Sequence, residues 1–195
     1  MRTPRGFFIE AHTPAVLRAL RAALRSPATV AVPGSAGITV GAIGLGAAAL
    51  ASTEAFHPYW LEVWLVAAMA GAGAGALVLA EQSPGKRAWP LGDAVLKFFA
   101  RLLPSLFAGA VLTVVLWRAG IVHAIPGMWL LLYGCALIHA STIASRGLAI
   151  LGGLFVALAL VAFGLPEPQQ LAILGVGFGE FHILHGVVTL RTSGA

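Results

Sequence analysis

Six apolar stretches follow one another along the chain, each roughly as long as a membrane-crossing helix, and short polar segments separate them. A helix rises about 1.5 Å per residue, so each stretch can cross the hydrocarbon core of a bilayer. The pattern predicts an all-α fold, a polytopic membrane helix bundle forming a single transmembrane domain over residues 1–195. The predicted spans cover about 30–52, 59–80, 102–117, 126–142, 147–164 and 171–190.

The basic residues lie between these stretches and favour one side of the membrane. Eleven of the twelve Lys and Arg residues either precede the first span or follow one of the even-numbered spans. Arg118 is the one on the opposite side. Because Lys and Arg are enriched in cytoplasmic loops, we predict a multi-pass protein of the bacterial cytoplasmic (inner) membrane with its N-terminus and C-terminus both cytoplasmic.

The composition indicates the same class of protein. Hydrophobic residues make up 59% of the chain and charged residues 10%, and the mean hydropathy is +0.92, whereas soluble domains carry about 25% charged residues. The net charge of +5 does not indicate nucleic-acid binding, since the basic residues lie at span ends, where they meet anionic headgroups. We therefore expect the lipid bilayer, and no nucleic acid, as partner.

The sequence contains no motif typical of an enzyme. It has no phosphate-binding loop, no His-Glu-x-x-His zinc motif and no Gly-x-Ser-x-Gly elbow. Cys135 is the only cysteine and lies inside an apolar stretch, so it can form neither an intramolecular disulfide nor a cysteine-based metal cluster. We therefore expect a non-enzymatic protein.

The N-terminal segment, residues 1–28, contains an amphipathic pattern. Over residues 13–26, apolar side chains recur at helical spacing and arginines occupy the opposite side. This pattern predicts a helix lying on the cytoplasmic membrane surface. The alternative is a solvated helix that packs on the other cytoplasmic loops.

A second polar stripe precedes the third span. Asp93, Lys97 and Arg101 follow one another at intervals of four residues, which places them on one face of a helix. We expect this surface helix to continue through Pro104 into the third span.

Small residues repeat at helical spacing in the first two spans. The two stripes are Gly34, Gly37, Gly41 and Gly44 in the first span, and Ala67, Gly71 and Gly75 in the second. In lipid, helices associate through close packing rather than through the hydrophobic effect. We expect the first and second spans to pack together through these stripes.

Two patterns predict contact with the surrounding lipid. Tyr59, Trp60 and Trp64 lie at the start of the second span and fit an aromatic anchor at the outer interface. The fifth span is almost purely apolar, and we expect it to be the most lipid-exposed helix.

Five ionisable side chains fall inside the predicted spans, where such groups are costly and tend to face the bundle interior. They are Glu62, His139, Glu180, His182 and His185. On an ideal helix of about 100° per residue, Gly175, Gly179 and His182 share a face, and Glu180 points roughly 160° away from His182. His139 and His185 lie at similar depths, so we expect that they could meet.

The histidines have two interpretations. His139 together with His182 or His185 could ligate haem b or a divalent metal, since imidazoles from facing helices are typical ligands of both. The alternative, favoured by the absence of a cofactor motif, is that the histidines are neutral. They would then hydrogen-bond to backbone carbonyls, to Ser141, to Tyr133 or to each other.

The two carboxylates inside spans differ in depth. Glu62 lies within a turn of the outer interface and is expected to reach water. Glu180 lies near the middle of the bilayer, where a carboxylate is protonated or finds a cation. Glu180 is therefore the first candidate for a functional residue, and a structural hydrogen bond to another helix is the alternative.

Three segments carry a family resemblance: Leu116-Trp-Arg-Ala-Gly120, Trp129-Leu-Leu-Leu-Tyr-Gly134 and Gly177-Phe-Gly-Glu-Phe-His-Ile183. In them the chain resembles a group of uncharacterised bacterial six-span membrane proteins, often encoded beside small transcription regulators. The resemblance covers about the last 80 residues and implies a small stress-related or regulatory membrane protein, with no activity to carry over. His182 matches the group's pattern, and His139 departs from it.

Three functional hypotheses follow from these residues. The first is a sensor or accessory protein whose interior cluster of His139, His182, His185, Tyr133 and Glu180 binds a small ligand, metal, haem or proton. The second is a small secondary transporter with Glu180 as its proton-coupling carboxylate. The third is a structural subunit that docks through its glycine stripes onto a membrane-protein partner or forms a homo-oligomer.

Overall fold

The computed structural model describes residues 30–82 and 93–193, which contain six long helices and no strand. The helices are α1 (Gly34–Ala51), α2 (Trp60–Gln82), α3 (Asp93–Arg118), α4 (Ile125–Ser141), α5 (Arg146–Phe163) and α6, which runs without a break through Glu167–Leu174, Gly175–Phe181 and His182–Ser193. Short 3₁₀ turns precede α2 and α4. The surface helix predicted over residues 13–26 lies outside the described residues.

All six helices are long and apolar enough to cross a membrane, which confirms the predicted six-span helical bundle. The third and sixth helices extend beyond the spans predicted for them. α3 is a single helix that begins at Asp93 and continues past Pro104, although proline lacks the backbone N–H that would continue the hydrogen-bond ladder. Near its start, the Arg101 Nη1 donates to the Thr142 hydroxyl at 3.2 Å and connects α3 to the end of α4.

Two helices organise the bundle. α1 packs between α2 and α6, and α4 packs between α3 and α5. Consecutive helices α2 and α3 contact each other little, as do α5 and α6. α3 is the least buried of the six spanning helices: 17% of its most apolar 18 residues are buried, against 33% for α5. The expectation that the fifth span would be the most lipid-exposed is therefore wrong.

The predicted packing of the first and second spans is confirmed, since α1 contacts α2, but the prediction is wrong for the glycine stripe of α1, which faces α6. A methyl group added at Gly37 would lie 3.0 Å from the carbonyl oxygen of His182, and one added at Gly41 would lie 2.7 Å from that of Gly179. The stripe continues at Gly34, which faces Gly186, and at Gly44, which faces Phe178. Only glycine permits this backbone approach, so α1 and α6 form a close glycine seam.

The second span contacts α1 through a different face. Added methyl groups at Gly71 and Gly75 would lie 3.7 and 3.4 Å from Val40 of α1, which is ordinary van der Waals contact. A second close approach joins α4 to α5, where a methyl group on either Gly134 or Gly152 would lie 2.7 Å from the carbonyl oxygen of the other. Both central helices thus have a partner that they contact through backbone atoms.

The middle of α6 is not α-helical. Residues Gly175–Phe181 form a π-helix, in which hydrogen bonds run from residue i to i+5 and each turn holds slightly more than four residues. Successive side chains therefore lie roughly a quarter turn apart. This geometry sets the directions of Gly177, Phe178, Gly179, Glu180 and Phe181 in the candidate site.

Candidate functional site

An aromatic cluster fills the space where α6 crosses α4 and α5. It is formed by Tyr133 of α4, Phe155 of α5, and Phe178 and His182 of α6. The His182 ring stacks on Phe178 with an interplanar angle of 11°, and its centroid lies 5.3 Å from that of Phe155 and 5.5 Å from that of Tyr133. His182 is 5% exposed, so this cluster is the interior of the bundle.

Both ring nitrogens of His182 have hydrogen-bond partners. Nε2 lies 2.8 Å from the Tyr133 hydroxyl, and Nδ1 lies 3.3 Å from the carbonyl oxygen of Gly177. A carbonyl oxygen can only accept, so Nδ1–H donates to Gly177, and in a neutral imidazole Nε2 then accepts from the Tyr133 hydroxyl. The arrangement corresponds to the alternative in which His182 is neutral and hydrogen-bonded to Tyr133 and a backbone carbonyl.

The engagement of His182 bears on the proposed haem or metal ligation. Nε2 has one lone pair, and that lone pair is directed at the phenol, so His182 could ligate a metal only after losing the bond from Tyr133. Over residues 30–82 and 93–193, no three His, Cys, Asp or Glu side chains are placed to hold a metal ion together.

The other two histidines lie apart from this interior cluster. His139 is exposed on α4. His185 is half-buried beside the start of α5, where a methyl group added at Gly147 would lie 3.1 Å from its Cε1 atom. His182 contacts the aromatic cluster through ring contacts and a hydrogen bond, whereas the prediction that His139 belongs to an interior cluster is wrong, because its side chain is exposed.

Glu180 lies on the outer surface of the bundle. The π-helix directs its neighbours to three other sides: Phe178 reaches Tyr133 in the interior cluster, Gly179 lies against Leu45 of α1, and Phe181 contacts Phe155 of α5. Glu180 takes the remaining direction, and its side chain is exposed. The angle derived from the sequence placed Glu180 away from His182, in agreement with this direction. The prediction that Glu180 belongs to an interior cluster is wrong, because its side of α6 faces out of the bundle.

The start of α2 differs from its predicted role. Tyr59 is 59% exposed, but Trp60 and Trp64 are 7% and 3% exposed and lie in the core, so the predicted aromatic anchor is wrong for the two tryptophans. They are buried because the α2 face that carries them packs on the interior, where Trp64 contacts Phe178. Glu62, between them in sequence, is exposed.

Sequence reasoning did not identify the hydrogen bond of Trp129 or the indole N–H of Trp64, which is unpaired within the described part of the chain. Trp129 Nε1 donates to the Thr113 hydroxyl at 2.8 Å and joins α4 to α3, while the buried Trp64 Nε1 has no acceptor among the described residues.

The sequence signal that accompanies the π-helix is the alternation of glycines at Gly175, Gly177 and Gly179, since glycines tolerate the close contacts around this segment.

The fold and the site define a multi-pass, all-helical membrane bundle with an aromatic interior and a carboxyl group on its outer surface. No protein-family model matches the chain, and no curated protein or solved structure is significantly similar to it.

Proposed function

We propose that this protein is a non-enzymatic accessory subunit of the bacterial cytoplasmic membrane, which binds a transmembrane segment of another protein chain through the side of α6 that carries Glu180. The observation that carries the proposal is the exposure of Glu180 halfway along the spanning part of α6, Pro168–Thr192. Ionisable side chains inside membranes usually face the bundle interior. A carboxyl group on the outer surface therefore favours a protein neighbour at that place.

The depth of Glu180 supports this proposal. On insertion scales, an acidic side chain at the bilayer centre is disfavoured by about 3 kcal/mol. The spanning part of α6 runs from Pro168 to Thr192, so about 18 Å of helix separates Glu180 from either end. A glutamate side chain is too short to reach headgroups or water over that distance. A polar group on a neighbouring chain would satisfy it.

The remainder of this side of α6 suits a transmembrane partner. Leu184 and Val188 lie one and two turns beyond Glu180 and are 60% and 50% exposed. A helix that supplied one polar group at mid-depth and apolar side chains elsewhere would match the surface. We call the surface formed by Glu180, Leu184 and Val188 the Glu180 face.

The interior favours an accessory role over ligand binding or transport. Aromatic rings fill the space around His182, and both of its ring nitrogens are engaged. A carrier that used Glu180 for proton coupling would need this carboxyl group to line a path through the bundle, whereas Glu180 lies on the outside.

The charge distribution supports the orientation that we propose. Lys97, Arg101, Arg146 and Arg191 lie at one end of the described bundle, and Arg118 lies at the other. Cytoplasmic loops carry the excess of basic residues, so the end with four basic residues, and with it the C-terminus, is assigned to the cytoplasm.

Site-specific photo-crosslinking in native membranes tests the function. A photoreactive amino acid at Leu184, on the Glu180 face, should form a discrete adduct with a protein. The matched control is the same amino acid at Met69 of α2, which is 78% exposed and should react with lipid only. The Leu184 adduct should disappear in Glu180→Leu and persist in Glu180→Gln, which keeps a hydrogen-bonding group. Lipid adducts alone at Leu184 would overturn the proposal.

A further inference from the structure

We propose that the partner at the Glu180 face is a second copy of this chain, related by a two-fold axis normal to the membrane, with the two Glu180 carboxyl groups hydrogen-bonded to each other. This inference rests on the proposed function and names the partner that the face would bind. It follows from the chemistry of the carboxyl group, from the depth at which Glu180 lies and from the shape of the surrounding surface.

A protonated carboxyl group is its own hydrogen-bond complement. It carries one O–H donor and a carbonyl acceptor, so two such groups can each donate to the other. In such a pair at least one group carries the proton that it donates, because two charged carboxylates in contact would repel each other. A pair of Glu180 side chains would therefore satisfy both groups without an additional cation.

A two-fold symmetric dimer provides a polar partner at the same depth in the bilayer as Glu180. A second copy inserted in the same orientation brings its own Glu180 to the same level of the bilayer, and a two-fold axis places like residues opposite each other. Within the described parts of the chain, all Lys and Arg residues lie toward the ends of their helices, and the one farthest from a helix end is Arg101, the ninth residue of α3; these residues are Lys97, Arg101, Arg118, Arg146 and Arg191. A basic residue at the depth of Glu180 is thus not supplied by that portion of the protein.

The surface beside Glu180 permits close approach. Leu45 of α1 lies against Gly179, the residue before Glu180, and is 39% exposed. Ala42 and Ala49 lie three residues before and four residues after Leu45 on the same helix face, and both are exposed. Small exposed side chains at this position allow a neighbouring helix to come near, as in other membrane helix pairs. The Glu180 face is therefore apolar with one polar group at its centre. Two copies of this face match each other, because apolar side chains meet apolar side chains and the two carboxyl groups meet.

Cysteine cross-linking in membranes tests the arrangement. Cys135 is the only cysteine, so Cys135→Ser gives a cysteine-free background into which Leu184→Cys is introduced. Two copies with different tags, expressed together, should become linked through Leu184→Cys by a short bis-maleimide reagent and should then co-purify. The control Met69→Cys, on the exposed side of α2, should remain uncross-linked under the same conditions.

The carboxyl group is tested by its effect on dimer affinity in lipid vesicles, measured by energy transfer between labelled copies. Glu180→Leu should raise the dimer dissociation constant at least ten-fold, and Glu180→Gln should change it much less, since an amide also donates and accepts. Glu62→Leu, at an exposed glutamate near the start of α2, should leave the dissociation constant unchanged. Thermal unfolding of each variant checks that the fold is retained.

The outcomes separate this inference from the proposed function. Cross-linking of the two tagged copies, lost in Glu180→Leu, supports the two-fold dimer. A monomer whose Leu184 adduct in native membranes is a different protein overturns the dimer and leaves the proposed function standing. A monomer with only lipid adducts at Leu184 overturns both, and a dimer that is indifferent to Glu180→Leu overturns the carboxyl pair.

Discussion

At the scale of single residues, the hydrogen bond between Tyr133 and His182 holds α4 to α6 inside an apolar interior. Its loss would leave His182 Nε2 buried without a donor, since the ring is 5% exposed and surrounded by aromatic side chains. A buried acceptor without a partner is disfavoured by roughly 1–3 kcal/mol, although hydrogen bonds in membrane proteins average about 0.6 kcal/mol. Because His182 is buried, we expect the loss of this hydrogen bond to lower the stability of the protein by a measurable amount.

Tyr133→Phe should therefore lower the free energy of unfolding by about 1 kcal/mol, because the ring contacts remain and only the hydroxyl is lost. The change is measured by reversible unfolding in detergent micelles. Tyr59→Phe is the matched control: Tyr59 is 59% exposed, and its variant should unfold like the unmodified protein. Equal stabilities for both variants would mean that the Tyr133–His182 bond contributes nothing to the fold.

Two indole N–H groups, those of Trp64 and Trp129, allow a second test at this scale. Trp129 Nε1 donates to Thr113, whereas Trp64 Nε1 is buried with no acceptor in the described bundle. Trp129→Phe should thus destabilise the protein by about 1 kcal/mol more than Trp64→Phe, since Trp129 loses a hydrogen bond whereas the change at Trp64 removes a buried donor that has no acceptor. The comparison uses the same unfolding measurement, and a larger loss for Trp64→Phe would contradict it.

At the scale of helices, the glycine seam between α1 and α6 is the contact most sensitive to added volume. In Gly41→Ala the new methyl group would lie 2.6 Å from Ile183 Cγ1 and 2.7 Å from the Gly179 carbonyl oxygen. Backbone atoms cannot yield easily, so the helices must separate, and overpacking of this kind is disfavoured by about 2 kcal/mol. Gly41→Ala should lower the free energy of unfolding by that amount.

Gly46 provides the matched control on the same helix. An added methyl group there would meet no atom within 4 Å, and alanine is a better helix former than glycine by about 1 kcal/mol. Gly46→Ala should therefore leave stability unchanged or raise it slightly. If Gly41→Ala were as stable as Gly46→Ala, the close approach of α1 and α6 would not hold in the membrane.

The same seam illustrates how far the sequence can predict structure. The spacing of Gly34, Gly37, Gly41 and Gly44 places them on one helix face and predicts close packing. It does not identify the partner helix, because small residues occur in α2 and α6 alike. That choice depends on which glycine faces are complementary in three dimensions, and α6 offers backbone at Phe178, Gly179 and Gly186.

The π-helix limits prediction of the site in a similar way. A rotation of about 100° per residue describes an α-helix, whereas Gly175–Phe181 turns less per residue. The bond from His182 Nδ1 to the carbonyl oxygen of Gly177, five residues earlier, lies in this segment, whereas the direction of Glu180 relative to His182 agrees with the ideal α-helix angle. Sequence spacing singled out these residues as candidates because ionisable groups are rare in apolar spans, and their partners required the folded chain.

At the scale of the whole molecule, the arrangement is two central helices with a flanking pair each. One group consists of α1 packed against α2 and α6, and the other consists of α4 packed against α3 and α5. The aromatic cluster joins the two groups, because side chains of α6 contact side chains of α4 and α5 there. Because α2 and α3 contact each other little, as do α5 and α6, the cohesion of the bundle depends on the α1–α6 seam and on the aromatic cluster. Both involve the middle of α6, which also carries Glu180.

The orientation of the whole bundle in the membrane is predicted from the basic residues at the ends of its helices, and it can be measured directly. A reporter that is active only in the periplasm should be active when fused after Gly120 and inactive when fused after Arg191, because the sequence predicts eleven of the twelve basic residues on the side opposite to Arg118. A fluorescent protein that matures only in the cytoplasm should give the reverse result. Arg118→Gln should leave both readouts unchanged, since this single charge is opposed by eleven. A periplasmic C-terminus would contradict the assignment, yet Glu180 would still lie at mid-depth, because its distance from both ends of α6 does not depend on direction.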